Sequence, residues 1–125
     1  MNQTFIRPKR LLPGGTIGVI APAGKVDLDD LNRGVACLEQ SGFKVILGRH
    51  IEKGHRYFSG FDRDRADDFL ALMQNKEVDA VFCARGGSGS ARLIPYLDQI
   101  DSLPPKIFVG GSDITTLLLY LSKKY

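Results

Sequence analysis

Lys106-Ile107-Phe108-Val109-Gly110-Gly111-Ser112-Asp113-Ile114-Thr115 is the stretch on which the reading of this chain turns. An apolar, β-branched run enters Gly-Gly-Ser-Asp, and an apolar segment of helical character follows from Ile114. A strand that bends sharply into a helix at a small-residue corner lifts one serine out of a sheet. Glycines beside that serine leave room for the bend, and the helix start behind it directs N–H groups at any oxyanion that forms. The corner reads Gly-Gly-Ser-Asp rather than Gly-x-Ser-x-Gly, so the local pattern leaves two readings open. Ser112 is either a nucleophile or a serine capping a helix after a strand.

Upstream, the same strand-to-helix unit repeats. Thr16–Ala21 predicts a first strand, and Leu28, Leu31, Val35 and Leu38 recur at helical spacing up to a stop at Ser41-Gly42. Phe43–Leu47 predicts a second strand, followed by a polar loop with Gly48, Gly54 and Gly60. Asp62 is placed to cap the next helix, with Ala66, Phe69, Leu70 and Met73 as apolar positions. Asp79–Ala84 predicts the third strand, and Arg85-Gly86-Gly87-Ser88-Gly89-Ser90 turns into a helix through Leu93 and Leu97. Pro104-Pro105 precedes the fourth strand, Lys106–Gly110, and the last helix starts at Ile114. Alternating units with fully apolar strands imply one α/β domain over residues 1–125. It is a parallel sheet with helices on both faces, a flavodoxin- or Rossmann-like three-layer sandwich, with the elbow after the fourth strand.

Right-handed crossovers gather the loops after the strands at one sheet edge, where ligands bind in such folds. Four loops meet there: Pro22–Lys25, Gly48–Gly60, Arg85–Ser90 and Gly110–Asp113. The Arg85–Ser90 loop has three readings. It cradles a phosphate, with Arg85 or Arg92 as anion partner; it supplies an oxyanion donor to Ser112; or it is a tight turn without chemistry. It lacks the lysine of a P-loop. Tyr57 and Phe58 are aromatics in a loop at this edge, a position suited to lining a cleft. His50 and His55 follow the second strand and read as solvated or structural, with no acid evident to orient either as a base. Asp113 reads as pointing away along its helix, where its charge favours the N-terminus.

Composition narrows the classes. Lysines and arginines outnumber acids 17 to 14, a net charge of +3 spread along the chain, which argues against nucleic-acid binding. Cys37 and Cys83 read as buried free thiols of a reducing compartment, without metal-ligand spacing, so neither metal nor organic cofactor is implied. Arg7-Pro8-Lys9-Arg10 and the following apolar run loosely resemble a signal peptide, but Pro13, Gly14 and Gly15 break the run. No uncharged run approaches the roughly 20 residues that span a bilayer, and the chain reads as cytoplasmic. Phe43, Phe69, Phe82 and Phe108 read as core, and Arg63, Asp64, Arg65, Asp67 and Asp68 as a solvated helix face.

Four segments in order resemble the N-terminal part of the LD-carboxypeptidases, the muramoyl-tetrapeptide carboxypeptidases with the microcin immunity proteins as relatives. They are Leu12–Ala23, Tyr57-Phe58-Ser59-Gly60 with Arg63–Ala66, Val78–Ser90, and Gly110–Thr115. The resemblance implies a serine peptidase that removes the terminal D-alanine of murein tetrapeptides in cell-wall recycling. It implies Ser112 as nucleophile, with oxyanion donors from the Asp113 N–H and from Gly86 or Gly87. The candidate substrate contacts, from their loops at this sheet edge, are Arg85, Ser88, Tyr57 and Phe58. Gly111 and Ser88 stand where the family usually has aromatic residues, which bears on substrate contacts. In the family a C-terminal domain carries the Glu and His of a Ser-His-Glu triad, and that domain is not among these 125 residues. The implied partners are a murein or similar small peptide, and either a C-terminal domain or a second copy in a homodimer. A serine without an adjacent base is a poor nucleophile, so little turnover is expected of the chain alone. A non-catalytic interaction domain and a small phosphate- or nucleotide-binding module remain the alternatives.

Overall fold

The structure is a computed structural model and describes residues 5–125. Four strands form one sheet: β1 (Thr16–Ile20), β2 (Lys44–Leu47), β3 (Ala80–Cys83) and β4 (Ile107–Val109). Their order is β2-β1-β3-β4 and every pairing is parallel. Thr16 pairs with Lys44, Ile17 with Ala80, and Ala80 with Ile107, so the strands end nearly level. The helices are α1 (Leu28–Gln40), α2 (Asp62–Gln74), the single turn α3 (Ile94–Leu97) and α4 (Thr115–Lys124). The expected parallel α/β sandwich is therefore present.

Two apolar clusters lie on the two faces. Ile17 and Val19 of β1 pack with Leu31, Val35 and Leu38 of α1. Ile20 and Val81 join Phe69 and Leu72 of α2, Leu97 of α3 and Leu117 of α4. Alternation along β1 explains the split, because successive side chains point to opposite faces. At Gly18 a Cβ would come within 2.9 Å of Leu72 Cδ1, so the bare glycine lets α2 lie close to the sheet. α1 starts with Asp27 accepting a hydrogen bond from Asp30 N and ends at Ser41, with Gly42 at φ +95° beyond it.

Several local expectations change. The segment through Leu93 and Leu97 is a 3₁₀ turn, Ser90–Leu93, before α3, whose first turn contains Pro95 and so lacks one N–H. Phe61, not Asp62, occupies the N-cap of α2 and makes no side-chain cap bond; Asp62 pairs instead with Arg65 and Arg92. The charged face of α2 is not uniformly solvated, because Arg65 and Asp68 are buried at 1% and 4% exposure. Cys37 is exposed, whereas burial pushes the Cys83 thiol up to about 12. Phe69 is fully buried, while Phe43, Phe82 and Phe108 are half-buried against the clusters.

Candidate active site

At the end of β4 the chain passes through Gly110 and extended Gly111 into Ser112, whose φ is +57°. A 3₁₀ turn, Ser112–Ile114, then leads into α4. A left-handed serine costs of order 1–3 kcal/mol and persists only where its surroundings fix it. They do so here: a Cβ on Gly110 would sit 2.4 Å from Ile114 Cγ2, so the corner closes on itself with no space for a side chain. Ser112 is left exposed at the top of the sheet. The Asp113 N–H lies in the first turn of a helical segment, where backbone donors lack intrahelical partners.

The glycine-rich turn after β3 lies directly against this corner. A Cβ on Gly86 would be 3.0 Å from Ser112 Cβ and 3.4 Å from Asp113 N. Gly87 has φ +108°, and a Cβ there would be 2.1 Å from the Tyr57 hydroxyl oxygen. The turn is held at both ends. Gly24 N donates to Gly86 O at 3.2 Å. Ser90 N donates to Asp113 Oδ2 at 2.9 Å, and the buried Ser90 hydroxyl donates to Asp113 O at 2.8 Å. Asp113 therefore does not point idly along its own helix; its carboxylate grips the end of the neighbouring turn.

The remaining candidates surround these two turns. Arg85 Nη1 donates to Lys25 O at 2.8 Å, and Nη2 to the Tyr57 hydroxyl at 3.4 Å. His55 and Phe58 exchange backbone hydrogen bonds of 2.9 and 3.0 Å, and the tight turn between them presents Arg56 and Tyr57. Tyr57 is 46% exposed and lines an open cleft with Lys25, Asp27, Arg56 and Arg85. Phe58 is half-buried, with the Arg65 and Arg92 guanidinium carbons 4.8 and 5.2 Å from its ring centroid. Ser88 is exposed at the rim. The structure thus brings Ser112, Asp113, Gly86 and Gly87 together, with Tyr57 and Arg85 beside them. Phe58 serves mainly as packing under Gly89.

Neither histidine joins Ser112. His50 Nδ1 lies 2.7 Å from Asp68 Oδ1, its backbone N–H donates to Asp68 Oδ2 at 2.9 Å, and its Nε2 is 3.7 Å from Asp64 Oδ1. An acid does orient His50, contrary to expectation, but it belongs to the buried face of α2. His55 stacks on Phe61 with ring centroids 4.2 Å apart. Among the described residues, no cluster of three His, Cys, Asp or Glu side chains is arranged to hold a metal ion, and no helix is long and apolar enough to cross a membrane.

Sequence reading missed Arg65, Asp68 and Ser90. Burial draws the Arg65 guanidinium below its ordinary pKa, against the opposing pull of Asp62. A signal was available: Arg65 stands four residues before Phe69, and Asp68 four before Leu72, so helical spacing puts both on the apolar stripe.

A family profile described as the LD-carboxypeptidase N-terminal domain matches residues 17–125. A probable murein peptide carboxypeptidase of Bacillus subtilis is 41% identical over 112 residues, covering 89% of this chain and 35% of the relative. The murein tetrapeptide carboxypeptidase of Pseudomonas aeruginosa is 36% identical over 106 residues, covering 83% of this chain and 34% of the relative. A solved structure of a variant of the microcin self-immunity protein MccF with adenosine monophosphate superposes with a TM-score of 0.87 at 31% identity, covering 95% of this chain and 37% of that one. The chain spans 34–41% of the length of four curated relatives it matches.

Proposed function

The chain belongs to the LD-carboxypeptidase family, and from that membership we propose that it is the nucleophile-bearing N-terminal domain of a serine carboxypeptidase acting on murein peptides. The observation that supports this most is the meeting of two turns. Ser112 stands at φ +57° with the Asp113 N–H behind it, and the bare Gly86 backbone lies against both. This arrangement supports an attacking oxygen at Ser112 with oxyanion donors from the two turns beside it.

In the proposed reaction Ser112 Oγ attacks the carbonyl of the L,D-peptide bond that links the terminal D-alanine. The carbonyl oxygen takes up the negative charge and is stabilised by the Asp113 N–H and a donor from the Gly86-Gly87 turn. Collapse expels D-alanine as the amine and leaves an acyl group on Ser112, which water then removes. Arg85, Ser88 and Tyr57 are proposed to contact substrate from the rim, with Phe58 supporting them. The base that takes the Ser112 proton is proposed to lie outside residues 1–125, on a partner domain carrying the Glu and His of the family triad. His50 is tied to Asp68 and His55 is stacked on Phe61, which supports this assignment.

A peptide–nucleotide conjugate is a second substrate class, favoured by the likeness to MccF bound to adenosine monophosphate. It calls for the same attack by Ser112. The test is release of D-alanine from murein tetrapeptide by residues 1–125 alone, and by a chimera joining them to the C-terminal remainder of the Bacillus subtilis relative. The chimera is expected to release D-alanine and the Ser112→Ala chimera is not, with residues 1–125 alone near background. Turnover of the peptide–nucleotide conjugate in its place assigns the second class. A folded chimera inert on both substrates overturns the proposal.

A further inference from the structure

We propose that Arg65 is the positioning residue of this site, the tie that holds the Gly86–Ser90 turn in register with Ser112; the inference rests on the hydrolytic reading above. Arg65 lies on the buried stripe of α2 with 1% of its surface exposed. Its Nη1 donates to Pro22 O at 2.6 Å and to Gly89 O at 3.0 Å, and its Nη2 pairs with Asp62. One guanidinium therefore joins the loop after β1, the turn after β3 and the start of α2. Phe58 covers it, with the guanidinium carbon 4.8 Å from the ring centroid.

The path from Arg65 to the corner is short and continuous. Gly89 O accepts from Arg65, and the next residue, Ser90, grips Asp113 through two hydrogen bonds of 2.9 and 2.8 Å. Asp113 is the residue after Ser112 and carries the N–H proposed to meet the oxyanion. Gly86, at the other end of the same turn, lies against Ser112 Cβ. A shift of the turn therefore moves one oxyanion donor relative to the other.

The chemistry of the side chain supports this role. Arginine offers a planar fork that serves two carbonyls and a carboxylate at once, whereas lysine is a compact point donor. Stability alone does not call for it, since apolar residues of similar volume often replace buried ion pairs without loss. Arg92 shares Asp62 at 3.1 Å but is exposed and reaches neither carbonyl, so the tie belongs to Arg65.

The test compares Arg65→Ala and Arg65→Lys in the chimera, with methylguanidinium added back. Arg65→Ala is expected to lower kcat for D-alanine release about 100-fold, the scale of a misplacement near 1 Å, with KM within about threefold. Methylguanidinium is expected to restore kcat in Arg65→Ala but not in Arg65→Lys. In residues 1–125 alone, the amide resonances of Gly86–Ser90 and Asp113 are expected to shift in Arg65→Lys while those of β1 and β2 hold. Retained kcat in Arg65→Ala, a fall in kcat that methylguanidinium does not restore or that comes with a comparable rise in KM, or unfolding of both variants overturns the inference. These results are separable from failure of the hydrolytic reading, which shows as a wild-type chimera without Ser112-dependent release.

Discussion

Ser112 carries a backbone conformation that serine avoids, and that conformation has a measurable cost. Its φ of +57° lies in the region that glycine enters freely and other L-residues enter at about 1–2 kcal/mol. Ser112→Gly relieves the strain, whereas Ser112→Ala keeps it; both remove the hydroxyl. Glycine also widens the unfolded ensemble, which takes back about 0.5–1 kcal/mol. Urea unfolding of residues 1–125 is therefore expected to place Ser112→Gly above Ser112→Ala by up to about 1 kcal/mol. Ser112→Ala clearly above Ser112→Gly shows that the corner is not strained as described. The family resemblance marked Ser112, and the Gly-Gly before it marked the bend. The left-handed φ was not legible, because serine seldom adopts it and the Gly86 turn that packs against the corner comes from 26 residues upstream.

At the scale of elements, most strands and helices were legible from apolar spacing, with ends off by a residue or two where pairing stops. The weak points were polar side chains used over long range. Lys106 read only as the first residue of a strand. In the structure its Nζ donates to Leu72 O and Asn75 O at 2.9 and 2.7 Å, which caps the C-terminal end of α2. Lys106→Met is expected to destabilise the chain by about 1–2 kcal/mol, since it strips a charged donor from two half-buried carbonyls. Amide exchange is expected to rise first in the last turn of α2. Unchanged unfolding of Lys106→Met contradicts the capping role. α2 was misread for a related reason. Its run of alternating charges looked solvated, yet Arg65 and Asp68 fall on its inner stripe and reach loops that no local pattern connects to them.

For the whole molecule, the parallel order β2-β1-β3-β4 brings the turns after β1, β3 and β4 to one edge. This placement follows from handedness and was legible from the alternation alone. Among the described residues neither histidine is free to deprotonate Ser112, since His50 is tied to Asp68 and His55 stacks on Phe61. β4 pairs on one side only, and Val109 is 44% exposed next to the corner. The central claim is that this chain brings the nucleophile and its oxyanion donors, and a partner domain brings the base. The most direct measurement is intact mass after incubation with a serine-directed fluorophosphonate, on residues 1–125, the chimera and its Ser112→Ala variant. A single adduct is expected on the chimera, mapped to Ser112, and none on the variant or on residues 1–125 shown to be folded. An adduct on another residue, or a folded, D-alanine-releasing chimera that loses no activity in Ser112→Ala, contradicts it.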